Sequence, residues 1–119
     1  MGLAAVSALA LSACGSNASS GSSGGSYRIL YVAGQTGVLS PTAIAIGRGI
    51  KAHVDAINAE GGLDGKKIVL QTKDDQSDPT RGVTLVQEQL NGDNPPDLVI
   101  PGVSSNEALA VAPLLARSK

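Results

Sequence analysis

VDAINAEGGLDGKKI, residues 54–68, carries the chain out of a helix and into a strand. Val54 and Ile57 stand at the spacing that puts side chains on one helix face. Gly61 and Gly62 then stop the pattern, because glycine adopts the positive-φ backbone of a helix end without steric cost. Strand-type sequence follows at once, KIVLQT over residues 67–72. Helix, glycine stop and strand form the repeating unit from which the rest can be read.

Upstream, Ile46 and Ile50 extend the Val54 and Ile57 stripe and predict a helix over residues 41–60. Before it, YRILYVA at residues 27–33 has the β-branched and aromatic content of a strand. Downstream, Asp78 is placed to cap a second helix with Pro79 at its first position. Val83, Val86 and Leu90 give that helix its apolar face. A third strand is predicted over residues 97–101, and a third helix over 104–116 with an interruption at Pro113. Three βα units in succession predict an α/β fold, a parallel sheet with right-handed crossovers and helices on its faces. Open sheets of this kind bind ligands beyond the C-terminal ends of their strands.

The chain has 119 residues and a net charge of −1 from 9 basic and 10 acidic side chains, a length that suits one domain. Such a balance, with no basic stripe, argues against a nucleic-acid partner. Tyr27 and Tyr31 are its only aromatic residues, so the core must come from Val, Ile, Leu and Ala. Cys14 is the sole cysteine and cannot form an internal disulfide or a multi-cysteine metal site. Nothing in the sequence calls for a cofactor or a metal.

Three zones divide the chain. Residues 1–13 form an uncharged Ala- and Leu-rich run, too short for a membrane-spanning helix but suited to the apolar part of a secretory signal. The positively charged start of such a signal is missing, since no Lys or Arg precedes Cys14. Leu11, Ser12, Ala13 and Cys14 resemble the lipobox of bacterial lipoproteins, where the signal is cut before a cysteine that carries lipid. The stretch through residue 26, GSNASSGSSGGS after Cys14, has nothing to bury and reads as a tether with a reach of roughly 17–21 Å. Residues 27–119 form the globular zone.

The stretch from Val54 to Ile68 resembles the periplasmic binding proteins of the branched-chain amino-acid (Leu/Ile/Val-binding) type. The likeness rests on its Ile-Asn dipeptide, paired glycines, apolar residue and further glycine before a strand. It continues through Asp74, Asp75 and Asp78-Pro79, an acidic turn into the second helix, and through IPGVSS at residues 100–105. The resemblance implies the start of the first lobe of a two-lobed type I clamshell, its remaining parts lying beyond Lys119. It implies a substrate-binding lipoprotein of an ABC-type importer, held outside the cytoplasmic membrane by a lipid on Cys14. Its partners would be a small-molecule ligand (an amino acid or related solute) and a transporter permease. A ligand-sensing receptor domain with the same clamshell is the alternative.

Two turns are candidate ligand sites. Ser104 and Ser105 precede the third helix, where free backbone N–H groups and the helix dipole suit a carboxylate. In the family a serine at this turn binds the ligand's α-carboxylate, and the strand alignment gives that role to Ser105. Ser104 and Glu107 also fit a capping box, and both readings can hold together. After the first strand, Thr36 and Gly37 match a short turn that lines the family's cleft; an ordinary βα turn accounts for them equally well. Some relatives carry a large aromatic near the start of the first helix. Thr42 stands at about that place here, which leaves leucine, another aliphatic amino acid, an amide or urea as possible solutes.

The remaining polar residues have simpler readings. Asp74, Asp75 and Asp78 read as a solvated turn and helix cap rather than oxygen ligands of a metal. His53 reads as packed at the core margin, and Lys66 and Lys67 as solubilising turn residues. An enzyme would need a nucleophile with a base partner. The lone His53 and a cysteine ahead of the domain do not supply one.

Overall fold

A computed structural model describes residues 25–118. It contains β1 (Tyr27–Val32), α1 (Ser40–Ala59), β2 (Ile68–Lys73), α2 (Pro79–Leu90), β3 (Leu98–Pro101) and α3 (Ser105–Arg117). The strands form one parallel sheet in the order β2-β1-β3, with Tyr27 opposite Ile68 and Ile29 opposite Leu98. The expected α/β architecture is present, each element ending within a residue or two of its predicted bounds. Cys14 and the lipobox-like segment lie outside the described residues.

Central β1 is buried on both faces, as a middle strand of a parallel sheet must be. Leu30 and Val32 point to one side and join Val86 of α2 and Val111 of α3 in a fully buried cluster. Tyr31 and Ala33 point to the other and pack with Ala43 and Ile50 of α1. The two-residue period of the strand thus distributes alternate side chains between two helical layers. Tyr31 is the largest fully buried side chain. Its ring lies against Gly47, where an added Cβ would come within 3.0 Å of Cε1, and its hydroxyl donates to the Ala43 carbonyl at 2.9 Å. A buried phenol is thereby packed and satisfied at once.

The stretch from 54 to 68 folds as a helix stop, a tight turn and a strand start. The N–H of Gly62 donates to Ile57 O (2.9 Å) and that of Gly61 to Asn58 O (3.3 Å), a Schellman closure of α1. Both glycines have positive φ, and a Cβ on Gly62 would overlap the Lys66 carbonyl. Asp64 and Gly65, at φ 50° and 76°, turn the chain between the reciprocally bonded Leu63 and Lys66. Asn58 then clamps helix to sheet. Its Nδ2 donates to Ile68 O and its Oδ1 accepts from Ile68 N, both at 2.8 Å.

Several expectations need correction. Ile46 is 43% exposed. The inward stripe of α1 instead runs through Ala43, Gly47, Ile50 and Val54, because Tyr31 fills the place opposite Gly47. His53 is exposed, one position off the buried Val54. Pro113 does not interrupt α3, which runs on to Arg117. The carbonyl that Pro113 cannot engage belongs to Leu109, which is 73% exposed, so water can serve it. The two lysines also have specific contacts: Lys66 Nζ lies 5.4 Å from the Tyr27 ring centre, and Lys67 donates to the Asn58 carbonyl.

Candidate functional site

With β1 in the middle, the chain leaves the sheet toward α1 after β1 and toward α3 after β3. Adjacent strands whose connections depart to opposite faces leave a crevice at their C-terminal ends, the usual ligand position in such sheets. Thr36 and Gly37 lie at this C-terminal edge, in the loop after β1. Ser104 and Ser105 lie at the same edge, after the neighbouring β3 and at the start of α3.

Ser104 occupies the N-cap position in extended conformation, but its side chain makes no capping bond. The first intrahelical bond of α3 comes from the N–H of Ala108 to Ser104 O. The N–H groups of Ser105, Asn106 and Glu107 therefore precede it and have no intrahelical acceptor. The expected capping box is absent because Glu107 turns inward instead of back toward Ser104: it is 4% exposed. What remains is an open helix N-terminus with two serine hydroxyls beside it, Ser105 exposed and Ser104 half-buried. That arrangement can receive an anion.

The Thr36 loop is organised by the acidic turn after β2. One Asp74 carboxylate oxygen accepts from the N–H groups of Gln35 (2.8 Å), Thr36 (3.2 Å) and Gln76 (2.8 Å). The other accepts from the Thr36 hydroxyl at 2.8 Å. Partial burial would raise the Asp74 carboxyl. The bonds from Gln76, Thr36 and Gln35 outweigh it and hold the group below the ordinary aspartate range. Ser77 completes the tie, donating to Thr36 O and accepting from Leu39 N, both at 3.1 Å. Gly37, at φ 86°, lies so close to Gln76 and Ser77 that no side chain fits there. The Thr36 hydroxyl proton is thus committed to Asp74, and its oxygen is left as an acceptor.

The three aspartates of this turn have separate tasks. Asp78 caps α2, accepting from Thr80 N at 2.8 Å, as its sequence position predicts. Asp74 organises the loop. Asp75 is not solvated, contrary to the sequence reading: it is fully buried, its Oδ1 accepts from Ser77 N at 2.7 Å, and its Oδ2 meets no donor. Among the described residues no three His, Cys, Asp or Glu side chains converge as a metal cluster. A groove of about 440 Å³ along α1 and β2, lined by Lys51, Asn58 and Thr72, includes none of the four candidate ligand residues.

Sequence reasoning located both turns but missed the residues that hold them. Asp74, Ser77 and Glu107 act across the sheet edge on partners distant in the chain. No local spacing reports such contacts. The adjacent acids at residues 74 and 75, followed by a capping Asp78, were the available signal.

Comparison with known proteins bears on the family and the fold. Residues 26–119 match the family model described as periplasmic binding protein. Over 87 residues the chain is 33% identical to the Leu/Ile/Val-binding protein BraC3 of Rhizobium johnstonii, covering 73% of this chain and 23% of that protein. An ABC-type branched-chain amino acid transporter structure from Rhodopseudomonas palustris superposes with a TM-score of 0.68 at 34% identity, over 76% of this chain and 24% of that one. The substrate-binding protein LivJ of Streptococcus pneumoniae, solved with isoleucine, gives a TM-score of 0.73 at 24% identity, over 78% of this chain and 26% of that one. At that identity LivJ speaks for the fold alone. The chain thus spans about a quarter of the length of these relatives.

Proposed function

We propose that this chain, which belongs to the periplasmic binding protein family, supplies one wall of the solute site of an ABC-type import system. The solute is an amino acid, branched-chain or a related small polar molecule. The observation that carries the proposal is the uncapped N-terminus of α3 with Ser104 and Ser105, on the same sheet edge as the Thr36 turn. Free N–H groups and serine hydroxyls are donors, matched to an α-carboxylate. The Thr36 oxygen, its proton already given to Asp74, is an acceptor matched to an α-ammonium. A zwitterion fits both.

In this reading ligand is held between this lobe and a second one that closes on it, and the closed form is what a permease partner receives. The protein works outside the cytoplasmic membrane, tethered through a lipid on Cys14. Membrane fractionation of cells checks the anchor: Cys14→Ser is expected to move the protein from membrane to soluble fractions, and an unchanged distribution refutes it.

The binding test is calorimetric titration of the complete gene product with branched-chain and other amino acids, amides, urea and small carboxylates. One member is expected to bind, and Ser105→Ala to weaken it about tenfold or more, the effect of losing a hydrogen bond to a charged group. Binding indifferent to Ser105→Ala would remove that residue from the site. No binding across the panel would overturn the amino-acid reading.

A further inference from the structure

Glu107 and Asp75 are two buried carboxyl side chains, neither of them in an ion pair. The ion pair among the described residues is Lys51–Asp55, on the outer surface of α1. Asp75 Oδ2 and Glu107 Oε1 are both out of contact with water and meet no conventional donor. Two glycines make room for Glu107. A Cβ on Gly82 of α2 would lie 2.7 Å from Oε1, and one on Gly102, between β3 and α3, would overlap the carboxylate itself. The acid is thus pressed against the turn that leads into Ser104 and Ser105. Asp75, next to Asp74 in the loop after β2, is the buried carboxyl that acts on it.

Two carboxylates cannot share a buried hydrogen bond without a proton between them. We propose that Asp75 and Glu107 hold one proton in common and that this acid pair is a positioning device, clamping the Ser104–Ser105 turn against the Asp74 loop in its binding geometry. The inference rests on the site proposed above, and it adds a pH-sensitive element to it. A second ionisation places two like charges in the same dry space and forces the turn away from the loop.

Burial pushes the Glu107 carboxyl up to about 8, the hydrogen bond with Asp75 and that residue's charge adding to the effect. Among the described residues no cation is ion-paired with either carboxyl. Tyr31 of β1 is neutral and is itself raised by burial and by the charges of Asp75 and Glu107. Asp74 and Asp78 flank Asp75 with negative charge, and Arg81 of α2 donates to the Asp74 carbonyl. The clamp is therefore closed at neutral pH and opens above about 8.

The test uses the complete gene product and Glu107→Gln, which keeps the shape and a donor for Asp75 but cannot ionise. The infrared spectrum of the wild type at pH 7 is expected to contain a protonated-carboxyl stretch that fades above about pH 8 and is absent from E107Q. The Ser104 and Ser105 amide resonances should shift with the same midpoint in the wild type and stay still in E107Q. For isoleucine, the ratio of Kd at pH 9 to Kd at pH 6.5 is expected to be about tenfold larger in the wild type than in E107Q. Should E107Q fail to fold, Asp75→Asn takes its place, with the amide midpoint displaced to lower pH. A wild type without the carboxyl band at pH 7, or serine amides that ignore its loss, overturns the proposal. If isoleucine does not bind, the spectra still decide on the clamp while the amino-acid site fails by itself.

Discussion

At the scale of single residues, Asn58 shows how a side chain can act as a piece of backbone. Its amide offers one donor and one acceptor to the two main-chain groups of Ile68, as a neighbouring strand would. Truncation leaves both half-buried groups without partners and also frees the last turn of α1 from the sheet. Asn58→Ala is therefore expected to lower stability by about 1–3 kcal/mol in denaturant unfolding of the complete gene product. A loss within error of zero would mean that water serves Ile68 equally well. Asn58→Asp keeps the acceptor for Ile68 N but sets a carboxylate oxygen against Ile68 O, and is expected to be no more stable than Asn58→Ala.

At the scale of elements, the connections after the strands matter more than the strands. The loop after β2 reaches in two directions, with Asp74 and Ser77 holding the loop after β1 and Asp75 meeting α3. The pH dependence of these ties has opposite signs. The Asp74 carboxyl is held low, so its contribution is present above the ordinary aspartate range and is lost as acid protonates it. The Glu107 carboxyl is held high. Its contribution is complete below the ordinary value of 4.5 and declines as pH rises through about 8. Thermal unfolding of the wild type relative to E107Q should accordingly lose ground across that window and level off beyond it.

At the scale of the molecule, β1 is the only strand among the described residues that is paired on both sides, and β2 and β3 form the edges of the described sheet. Leu98 on β3 is 51% exposed and Val69 on β2 is 42% exposed, with Leu63 nearby at 46%. Unpaired strand edges bearing apolar side chains are templates for association. Residues 27–119 purified alone are expected to unfold without a cooperative transition and to associate as concentration rises. A sharp, concentration-independent melt of that segment would contradict this. The longer relatives, of which this chain spans about a quarter, are consistent with further structure on these edges.

Periodicity and punctuation in the sequence were enough for the three βα units, since apolar spacing, glycine stops and the Asp78-Pro79 helix start are local properties. They were enough, too, to put Ser104, Ser105, Thr36 and Gly37 on one edge of a parallel sheet, because strand direction alone dictates which loops share an edge. Tertiary structure decided the rest. Gly47 became an inward position because Tyr31 lies across it. His53 faced water because the stripe is anchored on Ala43 and Val54. Ser-x-x-Glu failed as a capping box because two glycines, on α2 and before α3, opened a space that Glu107 fills beside Asp75. Sequence spacing reports only contacts made within one element. Burial of one acid against another depends on how separate elements meet, and that is settled only when the sheet brings them together.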